Sequence, residues 1–431
     1  MRPLLFLLGL IGTALTVFGF LSLIFDSDSE DAYVYYLNFK PESDSVLQEL
    51  AKLYTKETGV EVKVLTPASG SYGETLKTEM ESSKPPTLFV EGSLQNLKEY
   101  SDYAYDLTGT KVANQLSTDE YKLVDSDGKL AGIGYCYETF GIIVNKALLT
   151  QAGHSVDEIT DYFKLKDIVE DIHSRASSLN FDAFTSSGLD SSSSWRFAGH
   201  LTNVPLYYES KEDGFWTETP AKIRGAYLGN YRNLFNLYIK NSAYDPKTLA
   251  NGGFNAQEEF GNKKAVFYQN GNWEYDALVN NYKLNPDDLT MIPLYGGVGG
   301  EENAGLSSGT ENYWIVNNKA PKSARKATLD FMYWLVTNSE STKKLATTFG
   351  YIPFKKAVAP DNVFLEKANQ LEKEGKYNMK WVFNLTPNVD EWRKNLVAAL
   401  VEYAKDSTDA NWDLVTKAYV DGWEEQYKNQ N

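Results

Sequence analysis

AGIGYCYETFGIIVNK, residues 131–146, begins as a strand that alternates small and large residues and ends in a β-branched run at 142–144. It carries one carboxylate, Glu138, through an aromatic trio of Tyr135, Tyr137 and Phe140. A carboxylate inside an apolar strand is costly unless something pairs with it. The residues leave two readings open. Glu138 is either a buried group bonded to a Lys, Arg or backbone amide of the fold, or a group at the mouth of a cleft, kept there to hold polar atoms of a ligand.

Upstream, YVYYLNF from Tyr33 reads as a strand, and Val46, Leu47, Leu50, Leu53 and Tyr54 recur at helical spacing after Lys40-Pro41-Glu42. Thr58-Gly59 closes that helix, and VEVKVL at 60–65 alternates with period two, so the opening is a βαβ unit with a parallel strand pair. Ser71-Tyr72-Gly73-Glu74 fits a capping box, which gives Glu74 a capping role rather than a ligand contact. Pro85-Pro86 ends the next helix, and a short buried strand at 87–90 delivers Glu91 at its C-terminal end, where ligand crevices of open α/β sheets lie.

Downstream, a helix is expected over 161–172, and the Ser-rich loop SSGLDSSSSW at 186–195 places Trp195 at the start of the helical RFAGHL. The strand KAVFYQ at 264–269 runs into NGNW, which puts Trp273 at a strand-to-helix turn. The Gly-rich stretch at 294–312 lacks the spacing of a phosphate loop and reads as a flexible connection between lobes. Trp392, Trp412 and Trp423 lie in a helical C-terminus at spacings that pack a core.

At 431 residues the chain is too long for one small core and calls for two compact lobes. Aromatics make up 14% of it, with 29 Tyr and 9 Trp, an excess that needs a use beyond core filling. A net charge of −16 argues against nucleic acid, whose affinity comes mainly from Lys and Arg neutralising phosphates. The single cysteine, Cys136, allows no intrachain disulfide and reads as a small core residue. His154, His173 and His200 show no zinc-type spacing, so no metal or other cofactor is expected.

Residues 4–25 carry no charge, follow Arg2 and precede the acidic DSDSED at 26–31. A run of that length spans a bilayer core of roughly 30 Å as a helix. The charge order puts the body outside the cell. An uncleaved signal anchor with a short tether over 1–30 is favoured over a removed signal, so the chain is expected at the extracellular face of the membrane.

The order of YYLNFKPESDSVLQELAKLYTKETGVEVKV, KPPTLFVEG, GYCYETFGIIVNKALL, KKAVFYQNGNW, GLSSGTENYWIVN and GYIPFKK resembles the family 1 extracellular solute-binding proteins of carbohydrate ABC importers, the maltose-binding type. The resemblance runs over nearly all of 33–431. It implies an α/β, two-lobe, type II periplasmic-binding-protein-like fold, with a ligand cleft between lobes that close about a hinge. The lobes would comprise 31–137 plus 308–376 and 138–307 plus 377–431. The carried-over ligand-binding residues are Asn38 and Lys40 after the first strand, Glu91, Glu138, Trp195, Trp273, and Thr310 and Glu311 where the chain recrosses. No cysteine stands near the N-terminus for lipid attachment, which departs from many such proteins and favours the transmembrane anchor.

What the resemblance implies is a monomeric, non-enzymatic receptor that binds an oligosaccharide, maltooligosaccharide first, and hands it to an ABC permease. The chemistry agrees: a pyranose offers hydroxyls at its edge and C–H groups on its faces, which suit carboxylates, amides and Lys beside flat aromatic plates. A glycoside hydrolase, needing two carboxylates about 5 to 10 Å apart, and a sugar-sensing module for a membrane signalling partner are the alternatives.

Overall fold

The computed structural model describes residues 32–350 and 352–430. The apolar run at 4–25 and its acidic tether lie outside the described residues; among the described residues no helix is long and apolar enough to cross a membrane.

The opening βαβ unit forms as its periodicity requires. β1 (Tyr33–Leu37) pairs in parallel with β2 (Glu61–Leu65), Tyr33 opposite Glu61 and Leu37 opposite Leu65. Between them α1 (Asp44–Thr58) buries Leu47, Leu50, Ala51 and Tyr54, one face of a helix, and stops at Gly59, whose φ of 76° suits glycine. α2 (Tyr72–Met80) buries Leu76 and Met80, but the expected capping box is absent. Ser71 stands at φ −110° and ψ 3° rather than in the extended geometry a capping side chain needs, so its hydroxyl caps nothing and Glu74 is exposed. β3 (Leu88–Glu91) joins β1 in parallel. The first sheet has the order β2-β1-β3-β11-β5-β4, where β4 is Lys122–Val124, β5 is Leu130–Gly134 and β11 is Tyr313–Val316. β11 comes from far down the chain and inserts antiparallel between β3 and β5.

The stretch at 131–146 is two strands. β5 ends at Gly134, and β6 (Glu138–Asn145), buried throughout, belongs to the second sheet, so 135–137 carries the chain from one sheet to the other. That sheet runs β10-β6-β8-β7, with β7 Asp182–Phe184, β8 Ala265–Gly271 and β10 Ser307–Gly309. β9 (Leu289–Ile292) also pairs with β6, beside its C-terminal half. The chain recrosses at 310–312, between β10 and β11.

Helices cover both sheets. On the second, α3 (Tyr162–Ser174) and α4 (Leu201–Asp213) are followed by α5 (Leu228–Ile239); on the first lie α6 (Lys322–Leu335) and α7 (Ser339–Phe349). α8 (Val363–Lys373) turns Phe364 and Leu371 into one core with Ile143 of β6 and Met291 of β9. Residues 363–373, expected with the first lobe, therefore pack on the second sheet, and the third passage falls between Phe354, bridged to Leu116, and Phe364. α9 (Val389–Lys405) and α10 (Asp409–Gln430) pack on each other through Trp392 and Trp423, edge to face at 6.1 Å, in one core with Trp412.

The Gly-rich stretch at 294–312 is ordered rather than a flexible connection. Buried Glu301 accepts the backbone N–H groups of Gly296 (2.8 Å), Gly297 (2.9 Å) and Val298 (3.2 Å), and its other oxygen accepts Tyr162 N–H at 2.8 Å. The glycines let consecutive N–H groups converge on one carboxylate.

The segments around the two sheets meet across a seam. A Cβ built on Gly70, in the loop after β2, would lie 2.5 Å from the carbonyl oxygen of Ser191, and one on Gly73 would lie 2.9 Å from Asp390 Oδ2. At the far edge Gln95 donates to Gln430 Oε1 (2.7 Å), and Gln430 donates back to the Gln95 carbonyl (2.8 Å).

Candidate functional site

Side chains enter the seam from both lobes. The loop after β1 is closed by Asn38, whose amide donates to the Lys40 carbonyl (2.8 Å), Ser43 Oγ (3.0 Å) and Thr66 Oγ1 (3.1 Å) while its oxygen accepts Lys40 N–H (3.2 Å). Asn38 is thus wholly engaged in shaping the loop. That shape drives Lys40 across the seam, where its ammonium, buried, lies 2.5 Å from Glu138 Oε1 and 2.9 Å from Glu42 Oε1. Burial opposes the charge on Lys40, but Glu138 and Glu42 outweigh it and hold the ammonium well above the usual lysine range.

Glu138, first residue of β6, resolves the awkward carboxylate: Lys40 holds one oxygen and Asn312 Nδ2 holds the other at 2.9 Å. Burial raises its carboxyl above the usual range, and the charge of Lys40 pulls it back. Glu138 is thus a buried carboxylate paired within the fold, at the junction of the two sheets. The Oδ1 of Asn312, a fully buried residue, has no partner among the described residues.

The second lobe supplies an aromatic wall. Trp273 follows β8 in a short turn, its ring lying over Gly271, a position that admits no Cβ. Its centroid stands 5.5 Å from Lys40 Nζ, 6.5 Å from the Trp195 ring and 5.7 Å from the His200 ring. Trp195 donates Nε1–H to the Ser192 carbonyl (2.9 Å) and carries the Arg196 guanidinium on its face at 4.3 Å. Both tryptophans stay partly accessible.

The first lobe supplies carboxylates. Glu91 ends β3, and Glu311 precedes β11, which pairs with β3 through Tyr313 opposite Glu91, so the two acids sit at one end of the sheet, on neighbouring strands. Burial pushes Glu91 up to about 8, aided by the negative charges of Asp390 and Glu99. Burial also raises Glu311, while Arg393 and Lys40 oppose the rise. Thr310 is buried in the crossing, its hydroxyl accepting Asn312 N–H (3.3 Å) and its carbonyl accepting Asn384 Nδ2 (2.9 Å). Thr310 thus braces the crossing between β10 and β11.

Lys40, Glu138, Trp195 and Trp273 come together; Glu91 and Glu311 lie at the ends of the adjacent strands β3 and β11; Asn38 and Thr310 hold backbone. Sequence reasoning missed His200, Arg196, Glu274 and Arg393. His200 stacks flat on Phe140 at 3.8 Å and meets Gln269 Nε2 at 2.8 Å. Burial, then Arg196 and Arg393, depress its pKa well below the histidine range, so the ring is neutral. Its position five residues after Trp195, on the same short helical entry, was the available signal. The other two histidines pair with carboxylates, His154 with Asp171 at 2.8 Å and His173 with Asp182 at 2.7 Å. A separate groove of ≈ 960 Å³, lined by Phe163, Glu301 and Lys367 among others, lies on the outer flank of the second lobe.

A sequence profile of the bacterial extracellular solute-binding proteins matches residues 49–373, three quarters of the chain. The chain belongs to that family. No match emerges among curated proteins compared by sequence. Among solved structures this solute-binding protein is similar to RafE in complex with raffinose, at 15% identity and a TM-score of 0.69 over 93% of this chain and 99% of that one. A chitin oligosaccharide binding protein aligns at 15% identity, TM-score 0.68, over 93% and 100% of the two chains. The GacH receptor of Streptomyces glaucescens GLA.O, studied unliganded and with acarbose, aligns at 16% identity, TM-score 0.69, over 93% and 99%. Identities this low establish the fold: the solute-binding protein has the two-lobe type II architecture.

Proposed function

We propose that this protein is the receptor of a carbohydrate ABC importer, binding an oligosaccharide between its lobes and passing it, unaltered, to a membrane permease. The observation that carries the reading is the convergence of Lys40, Glu138 and Trp273 on one point of the seam, beside the unpartnered acceptor of Asn312. A carboxylate and an ammonium beside a partly accessible indole face match the edge hydroxyls and the C–H face of a pyranose. Closure adds to this, because groups from both lobes are needed at once and a sugar bridging them favours the closed form by mass action. The proteins it resembles in fold include receptors described with raffinose, chitin oligosaccharide and acarbose, which supports the sugar class. Maltooligosaccharide is the first candidate within it. The proposed ligand residues are Lys40, Glu91, Glu138, Trp195, Trp273 and Glu311, with Asn38 and Thr310 as supports.

The body acts as a monomer at the extracellular face, held by the uncharged run at 4–25. A hydrolase reading draws on Glu91, whose retained proton suits a general acid. The test is to incubate the full chain in detergent with maltotriose and follow both binding heat and products. Saturable binding with intact sugar supports the receptor; shortened sugar overturns it in favour of the hydrolase.

A further inference from the structure

Apart from Lys40 and the tryptophans, a second set of bonds joins the two lobes, and the binding reading leaves it unused. The short helix Leu94–Leu97 follows β3 in the first lobe. Ser93 caps it by accepting Asn96 N–H at 3.2 Å, and Leu97 is buried in one core with Phe89 of β3. This rooting fixes where Gln95 stands. α10 belongs to the second lobe, where Trp412, Val415, Tyr419 and Trp423 bury one of its faces, and Gln430 is its last residue.

Between these two elements Gln95 Nε2 donates to Gln430 Oε1 at 2.7 Å, and Gln430 Nε2 donates to the Gln95 carbonyl at 2.8 Å. Gln430 Oε1 also accepts Asn388 N–H at 2.8 Å, and Asn388 Nδ2 donates to the buried Gln426 Oε1 at 2.7 Å. The network admits one orientation of the Gln430 amide, because turning it over would set its NH2 against two donors. Asn388 stands at φ 41° and ψ 57°, a left-handed geometry that asparagine tolerates, and Val389 beyond it begins α9. The start of α9 and the end of α10 are thereby tied into one block within the second lobe. That block approaches the first lobe a second time at Asp390, whose Oδ2 would lie 2.9 Å from a Cβ on Gly73. Groups held in place beforehand lose little freedom when they pair, so more of each bond's free energy goes into joining the lobes.

We propose that Gln95 and Gln430 form a clasp that sets ligand affinity from outside the ligand contacts, by stabilising the arrangement in which the lobes meet. The proposal rests on the receptor reading above and deepens it. Neither residue bonds to Lys40, Glu138, Trp195 or Trp273, so a change in the clasp alters the balance of lobe positions rather than a sugar contact. A ligand that needs both lobes binds with its intrinsic affinity scaled by the fraction of chains whose lobes meet. Each neutral hydrogen bond changes such a balance by a factor of about two to ten.

The test uses the full chain in detergent with Gln430→Ala, Gln95→Ala, both together, and Glu425→Ala at an exposed position of α10 as the control. Spin labels on Glu74→Cys in the first lobe and Lys394→Cys in the second, both exposed sites, report the distance between lobes by double electron–electron resonance; Cys136 is buried. Gln430→Ala should populate a longer distance, and Glu425→Ala should not. Titrations with maltotriose and raffinose should show Gln430→Ala weakening both by the same factor, about tenfold, and Gln95→Ala, which keeps its carbonyl, by about threefold. The double variant should lose no more than Gln430→Ala alone, since one clasp is lost once. An unchanged distance in Gln430→Ala overturns the clasp whichever sugar binds. Losses that differ between the two sugars by more than about threefold also overturn it, because they set Gln430 against the ligand. A longer distance with neither sugar bound keeps the clasp and overturns the receptor reading instead.

Discussion

Removing Lys40 isolates the pair on which the seam depends. Lys40→Met keeps the buried stem but leaves Glu138, 3% exposed in its side chain, with Asn312 as its remaining partner. Breaking one side of a buried pair costs about 3 to 5 kcal/mol. Glu138→Gln costs less, about 1 to 3 kcal/mol, because Lys40 keeps Glu42 at 2.9 Å, where water also reaches. The double variant removes both charges and has no orphan, so its loss is smaller than the sum of the two by about 2 kcal/mol or more. The pH sign follows from the carboxyl: without Lys40, burial raises Glu138 unopposed, and the variant regains stability as pH falls and the acid takes a proton. Calorimetric unfolding of wild type, both single variants and the double variant at about pH 7.5 and pH 5 reads every term. Losses that add within about 0.5 kcal/mol, or a Lys40→Met loss unchanged at the lower pH, would refute the reasoning.

Trp273→Ala removes the accessible plate and should weaken oligosaccharide affinity at least about tenfold in calorimetric titration. It should lower the melting temperature far less than Trp392→Ala, whose fully buried ring carries about 3 to 5 kcal/mol. Gly73→Val, which would set a side chain against Asp390 when the lobes meet, should leave each lobe folded and reduce affinity about tenfold or more; unchanged affinity would mean that the seam does not close on ligand. Glu91, raised from 4.5 to about 8, holds a proton in the folded chain that the unfolded chain has lost between those values. Ligand-free stability should therefore fall as pH rises through that window, by at most about 1.4 kcal/mol per pH unit, and Glu91→Gln should flatten the slope.

Much of this fold is legible in the sequence because local rules and tertiary packing agree there. The apolar spacing of α1, the Gly59 stop and the period-two strands specify the βαβ unit without help from the rest of the chain. Legibility ends where distant segments decide. Nothing near Tyr313 announces that β11 inserts between β3 and β5, and the break at 135–137 within an apolar run appears only because its halves join different sheets. Glycines at 296 and 297 look like flexibility until Glu301 is seen gathering their N–H groups. In the site, Glu138 and Trp273 stood out because a charge in a strand and an indole after NGN are locally odd. His200 and Arg393 look ordinary within their helices and matter only through neighbours brought from elsewhere, namely Phe140, Gln269 and Glu311.

The most direct test of the receptor reading is isothermal titration of the full chain in detergent with neutral sugar trimers, followed by chromatography of the recovered sugar. The account predicts saturable one-to-one heat, lost in Trp273→Ala, with the sugar recovered whole. No heat from any trimer, or shortened sugar in the recovered fraction, would contradict it.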